Sequence, residues 1–138
     1  MTASERRGFH HAKAAAEMSD FTRAKVGCAV MDKNKVLSIG FNTTKTHPQQ
    51  KYYNQLRTFR DDTPATPAQL HAEMAAVLQL QYSDIDWSRA DVYVYRLRKD
   101  QPHGMARPCP ACMGVLRDLG VKRVYYTSDI GVVREEVS

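Results

Sequence analysis

A chain of 138 residues, 43% apolar and 25% charged, has the size and composition of one globular domain spanning 1–138 and can bury a substantial core. It holds no apolar run long enough to span a bilayer, and Met1-Thr2-Ala3-Ser4-Glu5-Arg6-Arg7 leads into no secretory apolar stretch, so a cytoplasmic protein without membrane association is expected. The net charge of +5 suits an anionic small molecule or nucleic acid as well as a merely solvated basic surface, and three cysteines, two of them close together, argue against a disulfide scaffold.

The first element is a helix over Ser4–Met18, where Phe9, Ala12, Ala15 or Ala16 and Met18 recur at helical spacing. His10 and His11 are neighbours there, about 100° apart around the axis, which points to the surface rather than to one shared site. Two strands follow, Lys25–Met31 and Val36–Phe41, joined by the polar turn Asp32-Lys33-Asn34-Lys35, in which Asn34 suits a left-handed backbone. Cys28 lies inside the first strand, where a lone cysteine reads as a small buried hydrophobe.

From Asn42 to Ala65 the chain is polar, basic and rich in tyrosine, long for a simple connection and of the kind that forms lids. Pro48 suits a first helical position, with Tyr52, Leu56 and Phe59 then on one face. Thr66-Pro67-Ala68-Gln69 has the form of a capped helix start, and Leu70, Met74, Val77 and Leu78 continue an apolar stripe to about Gln81. Asp91–Leu97 reads as a third strand, running into the loop Arg98–Gly104. Pro108 opens the next helix, which Gly120 closes, and Val121–Thr127 is a fourth strand. The tail turns at Asp129-Ile130-Gly131 into a short last strand at Val132–Val133 and beyond. The order α-β-β-α-β-α-β, with a final β, predicts an α/β fold: three layers, α/β/α, around a central mixed sheet of four to five strands.

Two motifs carry chemistry, His71-Ala72-Glu73 and Pro108-Cys109-Pro110-Ala111-Cys112. His71, Cys109 and Cys112 match the nitrogen and sulfur donors of a catalytic zinc site, which keeps a fourth position open for water. Two cysteines three apart at a helix start share a face, where unpaired amides favour thiolate. Glu73, two positions from His71, points elsewhere and can act as an acid–base group beside a metal-activated water. Three other readings stand beside this one. They are a thiol–disulfide pair at Cys109 and Cys112, a structural zinc site completed by Cys28 or His103, and a plain core histidine with a solvated carboxylate.

H-x-E followed by P-C-x-x-C is the signature of zinc deaminases of nucleobases. On these motifs the chain resembles the cytidine and deoxycytidylate deaminase superfamily, most strongly from His71 to Tyr126 and back to about Val26. The resemblance implies zinc held by His71, Cys109 and Cys112, with Glu73 as proton shuttle. It implies hydrolytic removal of an exocyclic amine, cytosine becoming uracil with release of ammonia, from a small-molecule cytosine nucleotide or nucleoside. Action on a base in RNA or single-stranded DNA and a non-catalytic zinc-stabilised module are the alternatives. It further implies that the backbone at Ala72 helps hold the base and that Asn42 contacts the sugar. Lys45-Thr46-His47-Pro48, with Tyr53-Asn54 and Arg57, is similar to phage-type and bacterial relatives. Lys45 and His47 are candidates there for phosphate or sugar contacts, or for lid packing. Relatives of this kind are commonly homo-oligomers. The hairpin-like tail, with no long final helix, departs from the deoxycytidylate and tRNA adenosine branches.

Overall fold

The computed structural model describes residues 1–21, 24–44, 48, 52, 70–99 and 103–137. Lys45, His47, the Thr66–Gln69 helix start and the Leu56/Phe59 face lie outside them.

Helix α1 spans Ala3–Ala16, and Thr2 caps it. The Thr2 hydroxyl accepts from the Glu5 amide at 3.1 Å while the Glu5 carboxylate reaches back to the Thr2 amide. The helix ends before Met18, which is exposed at 59%.

Strands β1 (Lys25–Asp32) and β2 (Lys35–Phe41) form an antiparallel hairpin. Its turn places positive φ, 55°, at Lys33 and not at Asn34. The Asn34 side-chain oxygen instead accepts from the Ser4 hydroxyl at 2.9 Å, tying the hairpin to the start of α1.

Helix α2 spans Ala72–Leu78, shorter than the Thr66–Gln81 stripe suggests. The Leu70 carbonyl is taken by the Thr43 amide at 3.0 Å, which holds the chain extended beside the end of β2. His71 is then the N-cap, with ψ at 157°, so it precedes the helix instead of lying inside it. Strand β3 spans Asp91–Leu97. Helix α3 spans Pro110–Leu119, two residues later than Pro108 suggests. Cys109 stands before a proline, is excluded from helical backbone, and caps the helix in extended conformation. Gly120 closes α3 at φ 96°, and the Gly120 and Val121 amides bond back to Arg117 and Leu116 in a Schellman arrangement. Strand β4 (Arg123–Ser128) and strand β5 (Gly131–Glu136) form a second antiparallel hairpin.

The five strands lie in the order β2-β1-β3-β4-β5, with β3 and β4 parallel and the other pairs antiparallel. This is the expected mixed sheet, with the tail as a hairpin. Strand alternation sorts the core into two faces. Ala29, Met31, Tyr93 and Tyr125 pack with Phe9 and Ala12 of α1; Tyr93 stacks on Tyr125 at 4.6 Å and meets Phe9 edge-on at 5.2 Å. Cys28, Val30, Val92, Val94, Val124 and Tyr126 pack with α2 and α3 on the other face. The result is three layers, α/β/α, with both chemical motifs on the α2/α3 side.

Candidate metal centre and adjoining pocket

Both motifs sit where a helix begins beside the carboxyl end of β3. Helix α2 is locked onto β2: the Ser38 hydroxyl donates to the Ala76 carbonyl at 2.8 Å, and the Gln79 amide donates to the Ile39 carbonyl at 2.6 Å. Helix α3 starts from Cys109, whose carbonyl accepts from the Met113 amide at 2.9 Å. Just upstream, Arg107 forms a bidentate pair with Glu135 of β5 at 2.9 and 2.7 Å. Glu135 also accepts from the Tyr126 hydroxyl at 2.8 Å, so the second hairpin braces the segment that carries Cys109.

Nδ1 of His71 lies 3.5 Å from Sγ of Cys109 and 3.4 Å from Sγ of Cys112. The three ligand atoms fall within 4.8 Å of one another, a group that could hold a metal ion. Tetrahedral zinc, with bonds of about 2.3 Å to sulfur and about 2.0 Å to nitrogen, requires a sulfur–nitrogen edge of about 3.5 Å. The donor set therefore fits zinc in kind and in spacing. The electrostatics agree. The hydrogen bond from the Cys112 thiol pulls Cys109 down to about 4, helped by His71 and opposed by burial. That same bond, with burial, pushes Cys112 up. Two thiolates this close do not both ionise without a cation between them.

Among the described residues no fourth histidine, cysteine or carboxylate joins the group. Cys28 is buried, and burial with the nearby Glu73 charge keeps its thiol protonated. His103 is held elsewhere, with Nδ1 2.7 Å from the Ser128 carbonyl and its ring edge-on to Tyr95. His10 and His11 stack edge to face on α1, on the opposite side of the sheet.

Glu73 is 6% exposed, outside the ligand group yet beside it. Burial raises its carboxyl, and His71 opposes that rise.

A pocket of about 200 Å³ opens onto this centre. Val26, Asn42 and Arg96 line it from the strand ends, His71, Ala72 and Glu73 from the start of α2, and Met105, Ala106, Arg107 and Cys109 from the approach to α3. The structure thus brings together His71, Ala72, Glu73, Cys109 and Asn42. The Asn42 side chain is largely committed to the backbone. Its oxygen accepts from the Val26 amide at 2.9 Å and the Ser19 hydroxyl at 2.6 Å, and its nitrogen donates to the Ala24 carbonyl at 2.6 Å. Reasoning from sequence missed Arg96 and Arg107. A signal for Arg96 existed: Val92, Val94 and Arg96 share one face of β3, so the arginine continues an apolar row.

A family model described as the cytidine and deoxycytidylate deaminase zinc-binding region matches residues 2–128. The fold is similar to that of the apo dCMP deaminase of cyanophage S-TIM5, at 23% identity and a TM-score of 0.61, covering 93% of this chain and 86% of that one. It is also similar to the cytidine deaminase of Burkholderia pseudomallei, at 21% identity and a TM-score of 0.65, covering 99% and 94%. A third likeness is to the cyanophage enzyme in complex with dCMP and dUMP, at 21% identity and a TM-score of 0.59, covering 93% and 84%. No curated protein sequence matches.

Proposed function

The chain belongs to the cytidine and deoxycytidylate deaminase zinc-binding family, and from that premise we propose that it hydrolyses the exocyclic amine of a cytosine nucleotide or nucleoside, yielding the uracil form and ammonia. The observation that carries this reading is the buried Glu73 carboxyl beside the His71/Cys109/Cys112 group, with all but Cys112 lining one small pocket.

In this reading His71, Cys109 and Cys112 hold the zinc and Ala72 presents its backbone to the base. When bound, zinc supplies Lewis-acid activation of a water. Glu73 moves both protons of the attacking water: it takes the first as the carbon–oxygen bond forms and passes it to the ring nitrogen, then takes the second from the added hydroxyl and gives it to the amine as the carbon–nitrogen bond breaks. Burial raises the Glu73 carboxyl, which suits a group that accepts a proton and then gives it up. Cys109 and Cys112 stay anionic as ligands, which suits their place at the start of α3.

The test is turnover by zinc-loaded protein on cytosine and adenine nucleosides, nucleotides and oligonucleotides, followed by ammonia release. We expect conversion of a cytosine monomer, and its loss in Glu73→Gln with zinc content unchanged. Full turnover in that variant refutes the proton-shuttle role. Activity confined to oligonucleotides would replace a monomeric substrate with a polymer.

A further inference from the structure

We infer that Arg96 is the anion anchor of this pocket and that the substrate is a nucleoside monophosphate, bound through its phosphate. The inference rests on the deaminase reading above and specifies its substrate class.

Arg96 stands at the carboxyl end of β3, in register with Val26 of β1, and both line the pocket. It follows Val92 and Val94 on the face that packs against α2 and α3, so its side chain leaves the sheet on the side of the metal centre. Its backbone is fixed at both polar groups. The Arg96 amide donates to the Thr127 hydroxyl at 3.2 Å, and its carbonyl accepts from the Gly104 amide at 2.9 Å. The Thr127 hydroxyl in turn donates to the Gly104 carbonyl at 2.7 Å.

The side chain is treated differently. Its Nε is buried and has no hydrogen-bond partner. Arg107, the other arginine of the pocket wall, is neutralised by Glu135, and Arg98 by Asp129. Among the described residues no carboxylate pairs with Arg96. A buried, unmatched donor on a permanently charged group is expensive to keep, and such groups call for an explanation.

A ligand supplies one. The guanidinium fork matches phosphate oxygens and stays charged at every physiological pH. A neutral base carbonyl would satisfy one N–H and leave the charge uncompensated, whereas a phosphate accepts from the fork and balances its charge. Glu73, His71 and Cys109 line the wall where the amine reacts. The strand-end wall with Arg96 is left for the remainder of the substrate.

The test has a catalytic arm and a binding arm, with zinc-loaded wild type, Arg96→Gln and Arg96→Lys. The catalytic arm compares kcat/KM for CMP and dCMP with cytidine and deoxycytidine. The binding arm measures affinity for the products UMP and dUMP against uridine and deoxyuridine, which need no turnover. Wild type is expected to favour the monophosphates by about 10- to 100-fold, the range of one or two charge-assisted hydrogen bonds. Arg96→Gln should reduce that preference to within about threefold, mainly through KM, and Arg96→Lys should restore part of it. An equal loss for nucleotide and nucleoside, or a preference unchanged in Arg96→Gln, overturns the inference. If no cytosine compound is deaminated while the Arg96-dependent preference persists in binding, the deaminase reading falls and the anion anchor stands.

Discussion

Gly40→Ala should damage the metal centre through backbone alone. Gly40 of β2 faces α2, and a Cβ built there would lie 2.4 Å from the Ala76 nitrogen, 2.7 Å from the Ala72 carbonyl oxygen and 2.9 Å from the Ala75 carbonyl carbon. All three are helix backbone, which cannot swing aside as a side-chain tip can. Ordinary contact begins near 3.4 Å, so α2 must retreat by about 1 Å. Overpacking of this kind costs about 1–3 kcal/mol, or about 3–10 °C in Tm for a chain of this length. The same shift carries His71, Ala72 and Glu73 with it, away from Cys109 and Cys112. Sulfur–nitrogen edges of 3.5 and 3.4 Å leave no room for such a displacement. We expect zinc affinity to fall at least tenfold and turnover by about 100-fold, the usual effect of a 1 Å misplacement. Zinc titration, thermal unfolding and ammonia release measure the three effects. Gly120→Ala is the control. Its Cβ meets nothing within 4 Å, but φ of 96° strains it, so it should lose about 1–2 kcal/mol of stability while keeping zinc and activity. A folded Gly40→Ala protein with wild-type zinc affinity and turnover would refute the reasoning that β2 sets the position of the centre.

Two further predictions concern the supports of the pocket. Asn42→Ala removes three hydrogen bonds and strands the Val26 amide, so it should destabilise the fold by about 1–3 kcal/mol. A pure KM effect with unchanged denaturant midpoint would show instead that Asn42 serves the substrate alone. Glu135→Gln tests the brace behind Cys109. The Arg107 hydrogen bonds hold the Glu135 carboxyl below its ordinary value. Its contribution is therefore present above about pH 4.3, the usual unfolded value, and fades as pH falls through the lower folded value. The pair is partly exposed, so the loss at pH 7 should stay below about 1 kcal/mol, and the two proteins should converge in stability in acid. A gap that persists in strong acid would contradict this assignment.

The chemistry was legible in the sequence because it rests on residue identity. A histidine, a carboxylate and two cysteines at family spacing name a zinc deaminase domain without reference to contacts, and the family match over residues 2–128 bears that out. Element types were legible for the same kind of reason: strand alternation and helical spacing are local. Helix starts were less so. The Leu70 carbonyl is taken by the Thr43 amide, a contact across the fold, and His71 next to it is extended, so α2 starts past His71. Cys109 was displaced from its helix by Pro110, a local rule that Pro108 obscured.

What the sequence by itself determined is the candidate donor set, the carboxylate beside it and the layered fold that carries them. Only the tertiary structure decided the wall opposite. Arg96 and Arg107 are both arginines after β3 begins, and nothing local separates them. Packing does: Glu135, on a strand that closes the far edge of the sheet, reaches back to neutralise Arg107, while among the described residues no carboxylate reaches Arg96 in the pocket. Charge compensation is a property of space rather than of chain order, so it enters only when the sheet is assembled.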